Sequence, residues 1–258
     1  MTDDTFLTRR SALVAVTAGT VGLIAGCAAS AQAVPPAKPA PVRPPAPTPP
    51  SPPASAGAHA PVALPFDPTK LAGLSEKLLT SHHDNNYAGA VKNLNKVEAE
   101  LAKVDKDTAA FVVGGLRSSE LTFRNSVTLH EAYFGNLGGN GKPSAAAQKS
   151  ISDGFGSMSR WEELFRASGL ALSGGSGWVV LAYDLGRNVP HTFAAQNHRE
   201  VEASSVPLLV MDMYEHAYQM DYGAAAAKYI DAFFANVQWD EVDKRFERAR
   251  KAATALRA

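Results

Sequence analysis

Apolar residues recur every three or four positions over two stretches of the chain, which is the pattern of one buried face on an α-helix. The first stretch begins at Asp67-Pro68, where a capping carboxylate precedes a proline suited to a first helical turn. The second begins near Thr108 and ends in the glycines after Phe134. Two helices with a short link favour an antiparallel hairpin. The apolar positions are Leu71, Leu74, Leu78, Val91, Leu94, Val97 and Leu101, then Phe123, Val127, Phe134 and Leu137.

The second half of the chain changes to shorter apolar runs bounded by turn residues, which favours β-strands. Before these runs, Ser159 and Glu162 form a capping box that predicts a short helix. After them, two further helices are expected over 225–237 and 240–256. The three predicted strands cover 177–183, 189–196 and 206–211.

The order of these elements predicts an α+β protein. An N-terminal antiparallel helical hairpin over 62–140 is followed by a C-terminal domain over 141–258, with a small three-stranded antiparallel sheet and flanking helices. Residues 34–61 are different, being mostly Pro, Ala and Ser. Because proline fixes φ and lacks an N–H group, this segment is expected to be a disordered, polyproline-like tether.

Residues 1–33 have the basic start and short apolar run of an export signal, and Arg9-Arg10 resembles a twin-arginine signal. Two cleavage sites compete. Residues 23–27 resemble a lipobox that would leave a lipidated Cys27 at the N-terminus, and 31–33 resemble an A-x-A site. An uncleaved membrane anchor is the third alternative. The lipobox is preferred because it accounts for the only cysteine, so we expect an exported protein of the periplasm or cell envelope, with membrane attachment through Cys27.

Composition narrows the classes of function. With 45% hydrophobic and 19% charged residues, the chain is typical of a soluble globular protein. A single cysteine excludes an intramolecular disulfide framework and any metal site built from several cysteines. The formal net charge is zero, so no basic field indicates a nucleic-acid partner.

Four residues point to metal chemistry. His82 and His130 interrupt the apolar faces of the two predicted helices, and a buried imidazole needs a partner. Asp212 follows the third predicted strand, and His216 lies four residues further on. Three imidazoles and one carboxylate suit Fe, Mn, Zn or Cu, and they leave a further coordination position for solvent.

Several ordered blocks along 64–251 resemble the iron/manganese superoxide dismutase family. The most specific block is 207–218, whose Asp-Met-Tyr-Glu-His-Ala-Tyr run is close to the family's D-x-W-E-H-A-Y signature. The remaining blocks are 64–67, 81–84 with 91–95, 130–137, 155–157, 175–178 and 237–239.

The resemblance implies an enzyme that converts superoxide to O₂ and H₂O₂ by redox cycling of one Mn or Fe ion per subunit. The residues that fall on the family's metal ligands are His82, His130, Asp212 and His216. Gln196 falls on the glutamine that manganese-type members point at the metal-bound solvent, and Trp178 on a tryptophan of the active-site pocket. The iron-type glutamine position is occupied by Ser126. This pattern slightly favours manganese.

The chain also departs from the family pattern. A histidine and a tyrosine of the usual substrate funnel are replaced by Asn86 and Ala90, and an interface tyrosine is replaced by Gln219. The tryptophan inside the signature becomes Tyr214, and an anion-attracting arginine is replaced around Ala226. We expect Asn86 and Gln219 to form an amide–amide hydrogen bond across subunits. Tyr214 or Tyr87 would supply a phenol near the funnel, with Tyr87 disfavoured because it lies about 100° around the helix from Asn86.

Glu215 falls on a residue that, in the family, reaches the ligand histidine of the other subunit, so the resemblance implies a homodimer with Glu215 and Gln219 at its interface. Two alternatives to a dismutase stay open from the sequence. One is a non-enzymatic metal-binding envelope protein that keeps the dismutase fold. The other is a different redox or hydrolytic metalloenzyme on the same fold.

Overall fold

The structure of the protein, a computed structural model, describes residues 57–257. The predicted export signal, Cys27 and the tether up to residue 56 lie outside the described residues. Between residues 57 and 257, no helix combines the length and the apolar composition needed to cross a membrane.

In the described chain, five helices precede one small three-stranded sheet and three helices follow it. Two short 3₁₀ turns, Pro68–Lys70 and Glu215–Ala217, and a π-helical segment, His82–Tyr87, complete the elements. The helices are α1 (Glu76–Ser81), α2 (Ala88–Leu101), α3 (Ala110–Gly135), α4 (Ala145–Phe155), α5 (Met158–Ala171), α6 (Gln219–Tyr222), α7 (Ala226–Ala235) and α8 (Trp239–Ala255), and the strands are β1 (Trp178–Asp184), β2 (Val189–Ala195) and β3 (Ser205–Asp212).

The predicted hairpin is formed by α2 and α3. Glu98 near the end of α2 contacts Arg124 in the middle of α3, whereas Tyr87 just before α2 contacts Glu131 near the end of α3. Since later residues of α3 meet earlier residues of the first helical stretch, the two helices are antiparallel.

The first helical stretch is not continuous, although its apolar spacing predicted one uninterrupted helix. Gly73 has a φ of +76°, and a Cβ at this position would lie 2.7 Å from the Tyr222 hydroxyl oxygen. The chain therefore turns after the 3₁₀ segment and starts again at Ser75, whose hydroxyl accepts a hydrogen bond from the Leu78 N–H. The break leaves the buried apolar face in place because Leu74 and Leu78 still point into the core.

Two helices, α4 and α5, lie between the hairpin and the sheet, where the sequence predicted one. Helix α4 ends at Gly156, which has a φ of +86°. The next residue, Ser157, caps α5 by accepting a hydrogen bond from the Arg160 N–H at 3.1 Å. The predicted capping box is therefore wrong: the Ser159 hydroxyl donates to Glu163 inside the first turn, because the helix has already begun.

The sheet confirms the predicted α+β class. Strand β1 lies in the centre and pairs antiparallel with both β2 and β3, in the order β2-β1-β3. Trp178, at the start of β1, is opposite Ala195 on one side and Asp212 on the other. This register brings the end of β2, the start of β1 and the end of β3 together at one end of the sheet.

One continuous core runs from the hairpin to the last helix. It contains Leu74 at its beginning and Ala253 at its end, with Trp161, Trp178 and Phe233 fully buried between them. The two C-terminal helices agree with the predicted ones to within two residues at each boundary.

Candidate metal centre

The structure brings together all four residues that the sequence singled out as metal ligands. His82 begins the π-helical segment, His130 lies in the last two turns of α3, Asp212 ends β3, and His216 lies in the following 3₁₀ turn. One donor atom from each residue lies within 4.8 Å of the donor atoms of the other three.

The three imidazoles converge on one carboxylate oxygen. The Oδ2 atom of Asp212 lies 3.1 Å from His82 Nε2, 3.3 Å from His216 Nε2 and 3.7 Å from His130 Nε2. Two atoms that each lie about 2.1 Å from a common ion are about 3.0–3.6 Å apart for bond angles of roughly 90–120°. The observed separations are close to that range, so the four side chains are arranged as ligands of a single ion would be.

Backbone contacts hold two of these side chains in place. His130 Nδ1 donates to the Ser126 carbonyl at 2.7 Å, one turn back on α3, and this bond turns Nε2 toward the other ligands. The second carboxylate oxygen of Asp212, Oδ1, accepts the Tyr214 N–H at 2.8 Å. The Asp212 carbonyl accepts the Tyr229 hydroxyl at 2.6 Å. Sequence reasoning did not find the Ser126 carbonyl, since a backbone acceptor has no residue-type signal.

The π-helical segment changes which residues face the centre after His82. In an α-helix, Asn86 would share the face of His82 at i+4, whereas the i→i+5 hydrogen bonds of a π-helix move that position to Tyr87. Tyr87 is buried, with its ring centre 6.2 Å from that of His130, and Asn86 is only half-buried. The Tyr87 hydroxyl donates to Glu131, so the phenol is directed away from the four donors.

Burial sets the charge of the donor set. Burial, with a smaller contribution from the nearby imidazole of His82, lowers the pKa of His130 to about 3. Burial likewise lowers the pKa of His82, against the opposing effect of Asp212. Burial alone would raise the pKa of Asp212, but the imidazoles of His216 and His82 hold it well below its usual range. At neutral pH His82 and His130 therefore present neutral imidazole nitrogens and Asp212 an ionised carboxylate, the forms that bind a cation.

Three ring nitrogens of the ligand histidines lack a hydrogen-bond partner among the described residues. Both ring nitrogens of His82 and Nε2 of His130 are buried without a hydrogen bond. A buried polar atom without a partner costs free energy, so such a group in a folded protein requires an explanation. A cation at the centre supplies one for the two Nε2 atoms. Nitrogen donors with one carboxylate suit Fe or Mn, so these residues fit the ion that the sequence implies.

Comparisons with known proteins agree with this geometry. Residues 143–245 match the family described as iron/manganese superoxide dismutases, C-terminal domain. Superoxide dismutase [Fe] of Cupriavidus metallidurans is 49% identical over 186 residues, which cover 71% of this chain and 93% of that protein. The chain belongs to the iron/manganese superoxide dismutase family.

Further relatives carry either metal in their names. Superoxide dismutase [Fe] of Aquifex aeolicus is 36% identical over 200 residues, covering 74% of this chain and 92% of the relative. Superoxide dismutase [Mn] 1 of Halobacterium salinarum is 37% identical over 193 residues, covering 72% of this chain and 94% of the relative. The protein is thus a superoxide dismutase that uses Fe or Mn, and the predictions of family, fold and enzymatic activity are confirmed.

Trp178 lies beside the centre of this dismutase, as predicted, and connects it to a residue that the sequence analysis missed. Its ring centre is 5.1 Å from that of His130, and its Nε1–H donates to His198 Nδ1 at 2.9 Å. The His198 ring stacks on Tyr214 with 4.9 Å between centres, and Tyr214 stacks in turn on His216 at 5.3 Å. The predicted placement of Tyr214 near the centre therefore agrees with the structure.

The prediction that Gln196 points at the metal centre is wrong. Strand β2 ends at Ala195 and the chain bends, which leaves the Gln196 side chain exposed. Among the described residues, only its backbone is hydrogen-bonded, to Ser176 and Glu200. The chain returns to the centre two residues later, at His198. The slight preference for manganese rested on Gln196 together with Ser126, and it loses the part that rested on Gln196.

The His198 ring carries its hydrogen on Nε2, the nitrogen that does not bond Trp178. Because Nδ1 accepts the Trp178 indole hydrogen, the neutral ring must carry its hydrogen on Nε2. Burial lowers the pKa of His198, which keeps the ring neutral at physiological pH. No group of residues 57–257 takes Nε2 as a hydrogen-bond partner, so its N–H remains a donor. Its position in the turn that follows β2 gave no sequence signal beyond its being one of seven histidines.

The remaining predicted residues lie at the surface around the centre. Asn86 is half-buried, and Glu215 and Gln219 are exposed. Their roles at a subunit interface stay predictions. His83, next to the ligand His82 in the chain, bonds to Asp84 and to the Val62 carbonyl and is not part of the donor set.

Proposed function

We propose that His82, His130, Asp212 and His216 hold one iron or manganese ion, at which two superoxide anions and two protons become O₂ and H₂O₂. The observation that carries this assignment is the convergence of three imidazoles on Asp212 Oδ2 in an interior where two of the Nε2 atoms have no other partner. A bound ion would supply the one-electron redox chemistry by which one superoxide is oxidised and the other is reduced.

The protein residues bind, orient and supply protons in this reaction. Asp212 places a negative charge beside the ion, which favours its higher oxidation state. His198 presents its Nε2–H as a hydrogen-bond donor. The Tyr214 ring stacks on the rings of both His198 and His216 and separates the two. Burial raises the pKa of Tyr214 to about 12, so its phenol stays protonated and keeps a hydrogen to donate.

Both metals satisfy the donor set, since imidazole and carboxylate ligands suit Fe and Mn alike. Relatives named for iron and for manganese are among those matched. Metal analysis of protein purified from native cells, combined with an activity assay of the separately reconstituted forms, decides between the two ions.

Loading the centre is expected to stabilise the fold strongly. An ion that binds only the folded state adds about 4 kcal/mol at a free concentration a thousand times its Kd, so the Tm of the apoprotein should rise on adding Mn²⁺ or Fe²⁺. His216→Ala should lose most of this rise, because it removes one of the four donors at a position that is 25% exposed and tolerates truncation. Differential scanning calorimetry with and without metal measures the effect.

His191→Ala is the matched control for that experiment. Its imidazole is also 25% exposed and pairs with Glu202, away from the metal centre. This variant should keep the full metal-induced rise in Tm. An equal rise in the His216→Ala variant would contradict the assignment of His216 as a ligand.

The proposed enzyme is a homodimer. Glu215 is exposed directly beside His216 and forms no ion pair with the described residues, so its carboxylate is available to the ligand histidine of a second copy. Glu215→Ala is expected to shift the molecular mass in sedimentation toward the monomer, whereas Glu247→Ala, an exposed change on α8, should not. A wild-type chain that sediments as a monomer at micromolar concentration would contradict the dimer.

Export to the periplasm or cell envelope completes the proposal. The match to the Cupriavidus protein covers 93% of that relative but 71% of this chain, so this chain has residues without a counterpart there. The Arg9-Arg10 pair and the apolar run after it support export, and Cys27 supports lipid attachment. Replacing both arginines by lysine should retain the protein in the cytoplasmic fraction, and Cys27→Ser should release it from the membrane fraction.

A further inference from the structure

Strand β3, which ends at the ligand Asp212, is an edge strand, yet side chains from three other elements hydrogen-bond its outer backbone groups. The Leu208 carbonyl accepts from Arg245 on α8 at 3.1 Å. The Val210 N–H and carbonyl are both bonded by the Asn136 amide, which follows α3. With the Tyr229 hydroxyl on the Asp212 carbonyl, alternate residues of β3 are fixed up to the ligand itself.

A β-bulge lies at the first of these contacts. The pairing of β1 with β3 shifts between Leu181 and Ala182, which lie opposite Leu209 and Pro207, so Leu208 is the extra residue. Its carbonyl is left for another donor. Arg245 Nη1 takes that role and donates its second hydrogen to the Ala132 carbonyl at 3.1 Å.

The two carbonyls that Arg245 bonds belong to two of the four elements that carry ligands. Ala132 lies on α3, two residues after His130, and Leu208 lies on β3, four residues before Asp212. The guanidinium is nearly buried, with 11% of the side chain exposed, and Glu241 Oε1 accepts from its Nε at 3.2 Å. A Cβ on Gly135 would lie 2.6 Å from Arg245 Nη2, so the chain keeps a glycine where the guanidinium passes α3.

We propose that Arg245, assisted by Asn136, is a positioning residue that fixes the carboxylate of Asp212 relative to the imidazole of His130 by joining β3 to α3. The inference rests on the proposed function, since it concerns two of the four assigned ligands. The planar guanidinium is anchored by its Nε bond to Glu241 and directs both hydrogens of Nη1 at carbonyls in separate elements, so it sets the spacing between those elements. A lysine ammonium on a flexible stem has no plane that such an anchor can fix. A change in that spacing moves Asp212 Oδ2 with respect to His130 Nε2 and so changes the environment of the ion.

The test compares Arg245→Met and Arg245→Lys with wild type in the metal-loaded, full-length protein. Both variants are expected to change the electron paramagnetic resonance spectrum of the bound ion. They should also release the ion to a chelator about tenfold faster, since groups that orient metal ligands typically change metal affinity by about 10–100-fold. Arg245→Lys keeps the positive charge, so a change in this variant reports the loss of the anchored, planar guanidinium rather than the lost charge.

Arg250→Met is the matched control on the same helix. The Arg250 guanidinium donates to Ser150 on α4 and lies over the Phe246 ring, and neither contact involves an element that carries a ligand. This variant should keep the wild-type spectrum and metal retention even where its Tm falls as much as that of Arg245→Met.

Wild-type spectrum and retention in the Arg245 variants, with only a lower Tm, would overturn the inference. Where Arg245→Met does not fold, Arg245→Lys decides alone on the same criteria. Asn136→Asp provides a second measurement, because it removes the amide donor to the Val210 carbonyl while keeping the acceptor for the Val210 N–H. A wild-type protein that binds no metal at all would instead overturn the proposed function, which distinguishes the two failures.

Discussion

Replacing Asp212 with asparagine is expected to reduce superoxide dismutase activity by more than about 100-fold, since changes to groups that only orient metal ligands already cost about 10–100-fold. The substitution keeps the size of the side chain, and its amide oxygen still accepts the Tyr214 N–H. It removes the one negative charge on which three imidazoles converge at 3.1–3.7 Å. The loss of activity should therefore come with weaker metal binding and a reduction potential shifted to favour the lower oxidation state.

Asp184→Asn is the matched control for this substitution. Asp184 is also a buried aspartate at the end of a strand, but its carboxylate pairs with Arg187 in the turn between β1 and β2. Its replacement should lower stability without changing the metal content. Steady-state activity per bound metal, measured for both variants, separates the two roles. Dismutase activity in the Asp212→Asn variant within a few-fold of wild type would show that the carboxylate is not a ligand.

The sequence predicted the parts of the fold that depend on repeated patterns. The strands follow from apolar runs between turn residues, and each observed bound lies within one residue of the predicted one. The break at Gly73 and the π-helical segment after His82 were not predicted. Both depend on tertiary contacts, such as the approach of Tyr222 to Gly73, that local spacing does not contain.

The candidate site divides in the same way. The four donors were recognisable because imidazole and carboxylate are distinctive residue types at distinctive positions. The residues around them were not, because a bend decides whether Gln196 or His198 faces the centre, and the two are only two positions apart. Arg245 contacts carbonyls 113 and 37 residues away, and its role is visible only once those backbones are placed.

His198→Ala is expected to lower activity by about 10–100-fold and to shift the reduction potential of the bound ion. The reason is the loss of an N–H donor whose orientation is fixed by the Trp178 indole at 2.9 Å and by stacking on Tyr214. Trp178→Phe should act in the same direction but less strongly. Phenylalanine keeps an aromatic ring but lacks the Nε1–H, so the His198 ring becomes free to carry its hydrogen on Nδ1 instead of Nε2.

Gln196→Ala separates this interpretation from the one that the sequence favoured. Gln196 lies two residues from His198, but its side chain is exposed. Its replacement should therefore leave the activity within about a factor of two of wild type, roughly the effect of a surface change of about 0.5 kcal/mol. The reduction potential of the bound ion should stay at the wild-type value. Titration of the reduction potential and the rate of superoxide removal, measured for all three variants loaded with the same metal, provide the comparison. If Gln196→Ala shifted the potential while His198→Ala did not, the donor facing the ion would be the glutamine, and the bend after β2 would have to turn the other way in the folded enzyme.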